Sequence, residues 1–136
     1  RDRSVSRGLG DVYKRQYLHR GGRVSKTAAI AGSILGIKPL LHVDNEGHLI
    51  PVGKIRGRKQ SIEKLVDMMC ERMGNWDNST VAVCHGDCLS DAEYAADLMR
   101  KKLGKKTTVH ICYTGAVIGS HSGPGTLALF FMGDQR

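Results

Sequence analysis

The stretch TVAVCHGDCLSDAEYAADLMRKKLGKKTTVHICYTG, residues 80–115, decides the fold class of this chain. It opens with TVAVCHG (80–86), a short apolar run typical of a buried strand. LSDAEYAADLMRKKLG (89–104) follows with the periodicity of a helix, and TTVHICYTG (107–115) predicts another strand. Strands that alternate with a helix indicate an α/β fold.

Further elements are predicted on both sides of this stretch. KTAAIAGSILG (26–36) and SIEKLVDMMCERM (61–73) have apolar residues at helical spacing. IKPLLHVD (37–44) and HLIPVGKIR (48–56) flank the turn NEG and predict a β-hairpin. TLALFFM (126–132) predicts the last strand. The complete order predicts a mixed β-sheet flanked by helices.

Signals at the helix ends support these assignments. Ser25 is a plausible N-cap for the first helix, and Gly36 closes it. Ser90, followed three residues later by Glu93, predicts a capping box at the start of the helix in 89–104. The cations of RKKLGKK (100–106) suit the C-terminal end of that helix, where they complement the helix dipole.

The net charge of +8 invites a nucleic-acid interpretation, which the distribution of charge weakens. Residues 1–16 alone carry five Lys or Arg against two Asp, and KIRGRK (54–59) and RKKLGKK (100–106) hold much of the remaining surplus. Aromatic residues form only 5% of the chain, too few for base-stacking platforms. We expect no nucleic-acid partner. No apolar run is long enough for a transmembrane helix.

The opening sixteen residues, RDRSVSRGLGDVYKRQ (1–16), show neither helical nor strand periodicity. They resemble translated sequencing-adapter read-through at the ends of metagenomic reading frames. We interpret residues 1–16 as a non-native or disordered extension and residues 17–136 as one α/β domain. A basic targeting arm is the alternative.

The four cysteines lack the spacing of a secreted disulfide framework. Cys70 and Cys112 fall within a helix and a strand pattern, so we predict small buried thiols in a reducing compartment, the cytoplasm. Cys84 and Cys88 lie close to His85 in CHGDC, a set that could ligate zinc. A structural zinc site needs four ligands, and no second pair exists, so we predict no metal.

Three polar segments at the ends of predicted elements are candidates for a binding site. They are GGR (21–23), KIRGRK (54–59) and GSHSGPG (119–125). Ligands bind at such element ends in open α/β sheets. In the last segment, His121 can donate a ring N–H, and the flanking glycines let backbone N–H groups approach an anion. The alternative is a tight turn capped by an isolated histidine.

Four motifs in series carry a family resemblance. LHRGGRVS (18–25), GIKPLLHVDNEG (36–47), KIR (54–56) and IGSHSGPG (118–125) resemble the DegV family. Its members are bacterial fatty-acid-binding proteins and include FakB, the carrier subunit of fatty acid kinase. The resemblance covers residues 17–133 and implies the family's C-terminal domain. The family also has an N-terminal domain with Thr and Ser hydroxyls for the carboxylate, so we expect this chain to be a truncated fragment.

The resemblance implies a non-enzymatic lipid carrier without a cofactor. It would present the carboxylate of a long-chain fatty acid to a separate ATP-dependent fatty acid kinase, with transient contact to a membrane surface. His121 is implied as the head-group histidine. Arg56 is a candidate second donor, since a guanidinium matches a carboxylate or an acyl phosphate, and its alternative is an exposed basic cluster. Gly119 and Gly123 complete the head-group set, whereas Arg23 is interpreted as structural.

The apolar tail needs a lining of its own. Candidate lining residues are Ile30, Ile34, Leu35 and Phe130, which ordinary core packing explains equally well. An enzyme of acyl or phosphoryl transfer, with His121 as general base, is the competing function. That function needs a nucleophile within hydrogen-bond reach of the imidazole, and Ser120 and Ser122 are the near candidates. If both serine hydroxyls are turned away from the ring, the enzyme hypothesis fails.

Overall fold

The computed structural model describes residues 5–10 and 36–134 of the 136-residue chain. Apart from Gly36, the predicted helix at 26–36 lies outside these residues, and so does GGR (21–23).

Nine elements follow one another in the part of the chain that is described. They are β1 (Val5–Gly10), β2 (Ile37–Val43), β3 (Leu49–Arg56), α1 (Arg58–Arg72), β4 (Thr80–His85), α2 (Leu89–Leu103), β5 (Thr108–Tyr113), α3 (Ala116–Ser122) and β6 (Leu127–Met132). Every strand and helix predicted between residues 37 and 132 is present, so the mixed α/β prediction is confirmed. Within the described residues, no helix is both long and apolar enough to span a membrane.

The six strands form one sheet in the order β3-β2-β1-β6-β4-β5. Neighbouring strands are antiparallel except β4 and β5, which are parallel. The C-terminal ends of β3, β4 and β5 therefore lie at the same edge of the sheet as the N-terminal end of β6. We call this edge the site edge, and it includes Arg56, His85, Tyr113 and Leu127.

The two long helices pack on one face of the sheet and share a core with it. The buried apolar side chains of α1 recur at the predicted helical spacing: Ile62, Leu65, Val66 and Met69. Those of α2 are mostly small, which allows close packing: Ala92, Ala95, Ala96 and Met99. The central strands β4 and β6 supply the opposing layer: Val81, Val83, Leu127, Leu129 and Phe131. Burial of each large side chain stabilises the fold by about 1.5–3 kcal/mol.

The predicted capping box of α2 is wrong. The N-cap residue is Cys88, which makes no side-chain capping bond, and the helix begins at Leu89. The Cys88 N–H is bound by the His85 ring at 3.3 Å, and this contact sets the start of the helix earlier than Ser90. The prediction of basic residues at the C-terminal end of α2 is confirmed, since Arg100 and the two lysines that follow it lie in the last turn.

The segment Val5–Gly10 differs from expectation, because residues 1–16 were predicted to lie outside the fold. It forms β1, which is antiparallel to β2 on one side and to β6 on the other. The backbone of these six residues lies in the middle of the sheet, between β2 and β6. A strand in this position is stabilised by backbone hydrogen bonds to both neighbours, which do not require an alternating side-chain pattern. That residues 1–16 are foreign to the natural gene stays a prediction.

Two cysteines are joined, although Cys112 was predicted to be a buried free thiol and the cysteine spacing indicated no disulfide framework. Cys84 on β4 and Cys112 on β5 are in register on parallel strands, with Cα atoms 4.7 Å apart, and they form a disulfide. Cys112 is also exposed and not buried as predicted, because β5 is an edge strand and this residue faces away from α2. Strand patterns in sequence do not reveal which two strands will be neighbours. Cys70 and Cys88 are free thiols and are half-buried.

Candidate functional site

Two of the three predicted segments meet at the site edge. KIRGRK (54–59) spans the end of β3 and the start of α1, and GSHSGPG (119–125) spans the end of α3 and the turn before β6. Their contact is made by Arg58, whose Nη2 donates a hydrogen bond to the Gly125 carbonyl oxygen at 2.9 Å. These two segments are thus in contact, whereas GGR (21–23) lies outside the described residues, and the convergence of all three segments on one binding site stays a prediction.

The side chain that joins them is Arg58 and not the predicted Arg56. Arg58 is the first residue of α1, directly after Gly57, whose φ of 92° turns the chain from β3 into the helix. Its Nε donates to the Asp91 carboxylate at 2.8 Å, and its Nη2 lies 3.5 Å from the Cys88 sulfur. In the sequence, Gly57 separates the two arginines and is the signal that Arg58, unlike Arg56, belongs to the next element.

Arg56 has a different position. It is the last residue of β3 and is exposed. The sheet order places three strand spacings between β3 and β6, about 14 Å at the usual spacing between strands. The backbone of Arg56 is therefore remote from the turn that follows His121. Its assignment as a head-group donor stays a prediction.

Glycines allow close backbone packing at the turn before β6. Gly123 and Gly125 have φ values of 81° and 84°, which residues with a Cβ atom rarely adopt. The Gly125 N–H donates to the Gly86 carbonyl at 2.6 Å, and the Gly86 N–H donates to the Thr126 carbonyl at 2.8 Å. A Cβ on Gly86 would lie 2.9 Å from the Gly123 carbonyl oxygen. The end of β4 and this turn are thus held backbone against backbone.

His121 lies in a helix and not in the loop that we predicted. Residues 116–122 form α3, with the Gly119 N–H bonded to the Gly115 carbonyl and the Gly123 N–H bonded to the Gly119 carbonyl. The short helix ends at its C-cap Gly123, whose φ of 81° and ψ of 173° form a backbone conformation that is essentially restricted to glycine. His121 sits half-buried in the last turn, and its ring has no hydrogen-bonding partner among the residues described. Its assignment as the head-group residue stays a prediction.

The two serines next to His121 are bonded within the same helix. The Ser120 hydroxyl donates to the Val117 carbonyl at 2.7 Å, and the Ser122 hydroxyl donates to the Ile118 carbonyl at 2.8 Å. Neither hydroxyl is hydrogen-bonded to the imidazole. The hydrogen bond between nucleophile and base that the enzyme hypothesis requires is therefore not formed.

A second histidine, His85, contacts the start of α2 at the site edge. His85, at the end of β4, is 1% exposed, and its Nδ1 accepts the Cys88 N–H. Its ring lies 4.4 Å from the Tyr113 ring, centroid to centroid. Burial raises the pKa of the Cys88 thiol, and the positive charge of Arg58 opposes that shift. Sequence reasoning considered His85 only as a zinc ligand, and its structural role depends on a contact that no motif shows.

The predicted tail-lining residues are only partly described. Ile30, Ile34 and Leu35 lie outside the described residues. Phe130 is half-buried on β6, and because Leu129 and Phe131 belong to the core, it faces away from α1 and α2. A role in lining a tail stays a prediction for all four residues.

One cavity of about 10 Å³ lies beneath α1, between β2 and β6. It is lined by apolar side chains, by Arg72 and by His42, which is buried and has no partner for its Nδ1 among the described residues. A space of this size fits about one water molecule and not a lipid tail.

One group of ligand-type side chains lies together in the part of the chain that is described. Asp44, Glu46 and His48, in the turn between β2 and β3, place one ligand atom each within 4.8 Å of the others. The Asp44 carboxylate already accepts the backbone N–H groups of Glu46 and His48, which lowers the pKa of its carboxyl. The group is explained as a hydrogen-bonded hairpin turn.

An apolar patch flanks the site. It consists of Tyr113, Val117 and Ile118, which are 71%, 75% and 59% exposed. Tyr113 ends β5, and the other two lie in the first turn of α3. Large apolar side chains with such high exposure mark interaction surfaces in many proteins when they lie together.

The comparison with known families decides the classification. The DegV family model, described as that of an uncharacterised protein family, matches residues 12–134. The chain belongs to the DegV family. A DegV domain-containing protein from Clostridium perfringens is 46% identical to it over 120 residues, which are 88% of this chain and 41% of that relative. This DegV chain thus spans about two fifths of the relative's length, in agreement with the predicted partial match.

Solved DegV structures share the fold. The fatty acid binding DegV family protein from Streptococcus agalactiae has a TM-score of 0.81 and 30% identity, with coverage of 96% of this chain and 45% of that one. A DegV lipid binding protein from Thermotoga maritima has a TM-score of 0.73 and 30% identity, with coverage of 96% and 44%. Both names describe what those proteins bind.

Proposed function

We propose that this chain is the part of a DegV carrier that holds the carboxylate end of a long-chain fatty acid. The observation that carries the proposal is the His121 imidazole, which is half-buried at the site edge and has no partner among the described residues. The similarity to the S. agalactiae fatty acid binding protein supports the choice of ligand.

The physical chemistry of the ligand explains this choice of residues. Each buried methylene of the tail is worth about 0.8 kcal/mol, so the tail supplies most of the affinity. Burying the carboxylate costs several kcal/mol unless fixed donors replace its water. His121 supplies a ring N–H. The N–H groups of Gly119 and Gly123 are already bonded within α3, so these two glycines are candidates only for close approach of the ligand and not as backbone donors. Arg56 and the four predicted tail-lining residues are part of the proposal as candidates.

The carrier is proposed to be non-enzymatic. The serine hydroxyls next to His121 are bonded to carbonyls of their own helix, which supports a binding role over a nucleophilic one. In this proposal a separate fatty acid kinase carries out the phosphoryl transfer in the cytoplasm. Transient contact with a membrane surface delivers the acid, and the exposed patch of Tyr113, Val117 and Ile118 supports that contact.

Native mass spectrometry of the chain, expressed in bacteria, tests the proposal. We expect a co-purified long-chain fatty acid, and we expect His121→Ala to reduce the bound fraction about tenfold, as for loss of a hydrogen bond to a charged group. His110→Ala is the matched control, because His110 is an exposed histidine on β5. The S. agalactiae protein is the positive control. If it retains fatty acid and this chain retains none, the proposal is wrong.

A further inference from the structure

Arg58 links three elements at the site edge. It starts α1, its Nε–H donates to Asp91 in the first turn of α2, and its Nη2 donates to the Gly125 carbonyl before β6. The side chains of Arg58 and Asp91 are 21% and 33% exposed, so solvent screens this pair less than a pair on the open surface. A planar guanidinium can make both bonds at once, whereas an ammonium group has no such fixed fork.

The turn that Arg58 holds needs external donors. Gly123 and Gly125 both have positive φ values, and such residues lose much conformational freedom when they are fixed. The Thr126 hydroxyl donates to the Gly123 carbonyl at 2.8 Å, and Arg58 donates to the Gly125 carbonyl. Side chains thus donate to the carbonyls of Gly123 and Gly125, the first and last residues of a turn that begins two residues after His121.

We propose that Arg58 is a positioning residue for ligand binding, with Asp91 orienting its guanidinium. By fixing the Gly125 carbonyl, it holds the Gly123–Gly125 turn and the end of α3, and so sets the position of the His121 ring. Its Nε and Nη2 donate to Asp91 and to the Gly125 carbonyl, so in this proposal Arg58 acts through the turn and does not itself contact the ligand. This inference rests on the proposed function for its effect on affinity, but its effect on the turn is independent of any ligand.

The first test measures the turn in the ligand-free protein. Arg58→Gln is expected to raise amide hydrogen exchange at Gly123 and Gly125 about tenfold, as for loss of a hydrogen bond to a charged group. Arg100→Gln is the matched control, because Arg100 also pairs with an aspartate of α2, at 2.9 Å, but on the open surface. Unchanged exchange in Arg58→Gln would overturn the proposal. If that variant does not fold, Arg58→Lys and Asp91→Asn are measured in the same way.

The second test asks whether Arg58 acts through His121. Fatty-acid affinity is measured for Arg58→Gln, His121→Ala and the double variant. We expect Arg58→Gln to weaken binding about tenfold alone and to have no further effect in the His121→Ala background, since residues that act as a unit are not additive. An equal loss in both backgrounds contradicts the positioning role. If the unmodified chain binds no fatty acid, the proposed function fails, and the exchange measurement still decides the role of Arg58 in the turn.

Discussion

The Arg58 guanidinium and the Gly125 carbonyl oxygen lie 2.9 Å apart, although the two residues are separated by 67 positions in sequence. The Gly125 N–H is bonded in turn to the Gly86 carbonyl at 2.6 Å. Both backbone groups of Gly125 are therefore held, one by the start of α1 and one by the end of β4. The turn that follows His121 is therefore fixed to two other elements at the site edge.

The contact between Gly86 and the turn predicts a cost for any side chain at position 86. In Gly86→Ala the new Cβ would lie 2.9 Å from the Gly123 carbonyl oxygen, a backbone atom that cannot easily move. We expect the free energy of unfolding in urea to fall by about 1–3 kcal/mol. Gly115→Ala is the control, because nothing lies within 4 Å of its added Cβ. Equal stability of the two variants would contradict the packing described.

Asn78 secures the far end of β6. Its amide donates to the Met132 carbonyl at 3.0 Å, and its Oδ1 accepts the Met132 N–H at 2.8 Å. Because Asn78 is buried, Asn78→Ala leaves these strand groups unpaired, and we expect a loss of about 2–4 kcal/mol in urea unfolding. The exposed Asn75→Ala should change stability by less than about 0.5 kcal/mol. A similarly small change in Asn78→Ala would argue against the pair of hydrogen bonds between Asn78 and Met132.

The disulfide between Cys84 and Cys112 predicts a response to reductant. It closes a loop of 28 residues, so the chain-entropy model gives a stabilisation of about 3–4 kcal/mol. Urea unfolding with and without dithiothreitol should show a difference of this size. The double variant Cys84→Ser, Cys112→Ser should not respond to the reductant. Free thiols at both positions in the purified protein, detected by mass spectrometry, would disprove the crosslink.

The thiol of Cys88 predicts a pH-dependent reactivity. Burial raises its pKa, and Arg58 offsets that shift only in part. Since the thiolate is the reactive form, iodoacetamide should alkylate Cys88 more slowly in the folded chain than in urea near pH 8. Because the pKa of the Cys88 thiol is higher in the folded state than in the unfolded state, the thiol contributes to the free energy of unfolding. This contribution is fully present below the unfolded-state pKa and is lost as pH rises through the folded-state pKa. Equal alkylation rates in the two states would show that the thiol is not shielded.

The apolar patch beside the site predicts membrane association. Val117→Ser combined with Ile118→Ser should reduce co-sedimentation with phospholipid vesicles, and should alter unfolding free energy by less than about 0.5 kcal/mol per site because both side chains are exposed. Ile50→Ser is the control, since Ile50 is exposed near the opposite edge of the sheet. If vesicle binding is the same in all variants, or if the unmodified chain does not bind vesicles, the proposed membrane contact is wrong.

Apart from α3, the elements from β2 to β6 follow from the sequence because their signals are local. Apolar spacing alone predicts α1 and α2, and alternating turns and apolar runs predict the strands. α3 escaped prediction because a helix of seven residues with a glycine inside it has too few periodic positions to show.

The sequence by itself determined the alternation of strands and helices, the family, and His121 as the candidate ligand residue. The tertiary structure alone decided that Arg58, and not Arg56, reaches the glycine-rich turn, and that Cys84 meets Cys112. Sequence periodicity fixes which side of an element a residue occupies, whereas strand order and helix placement arise from packing between distant segments. Such contacts leave no local pattern in the chain, because each partner is chosen by the fold as a whole.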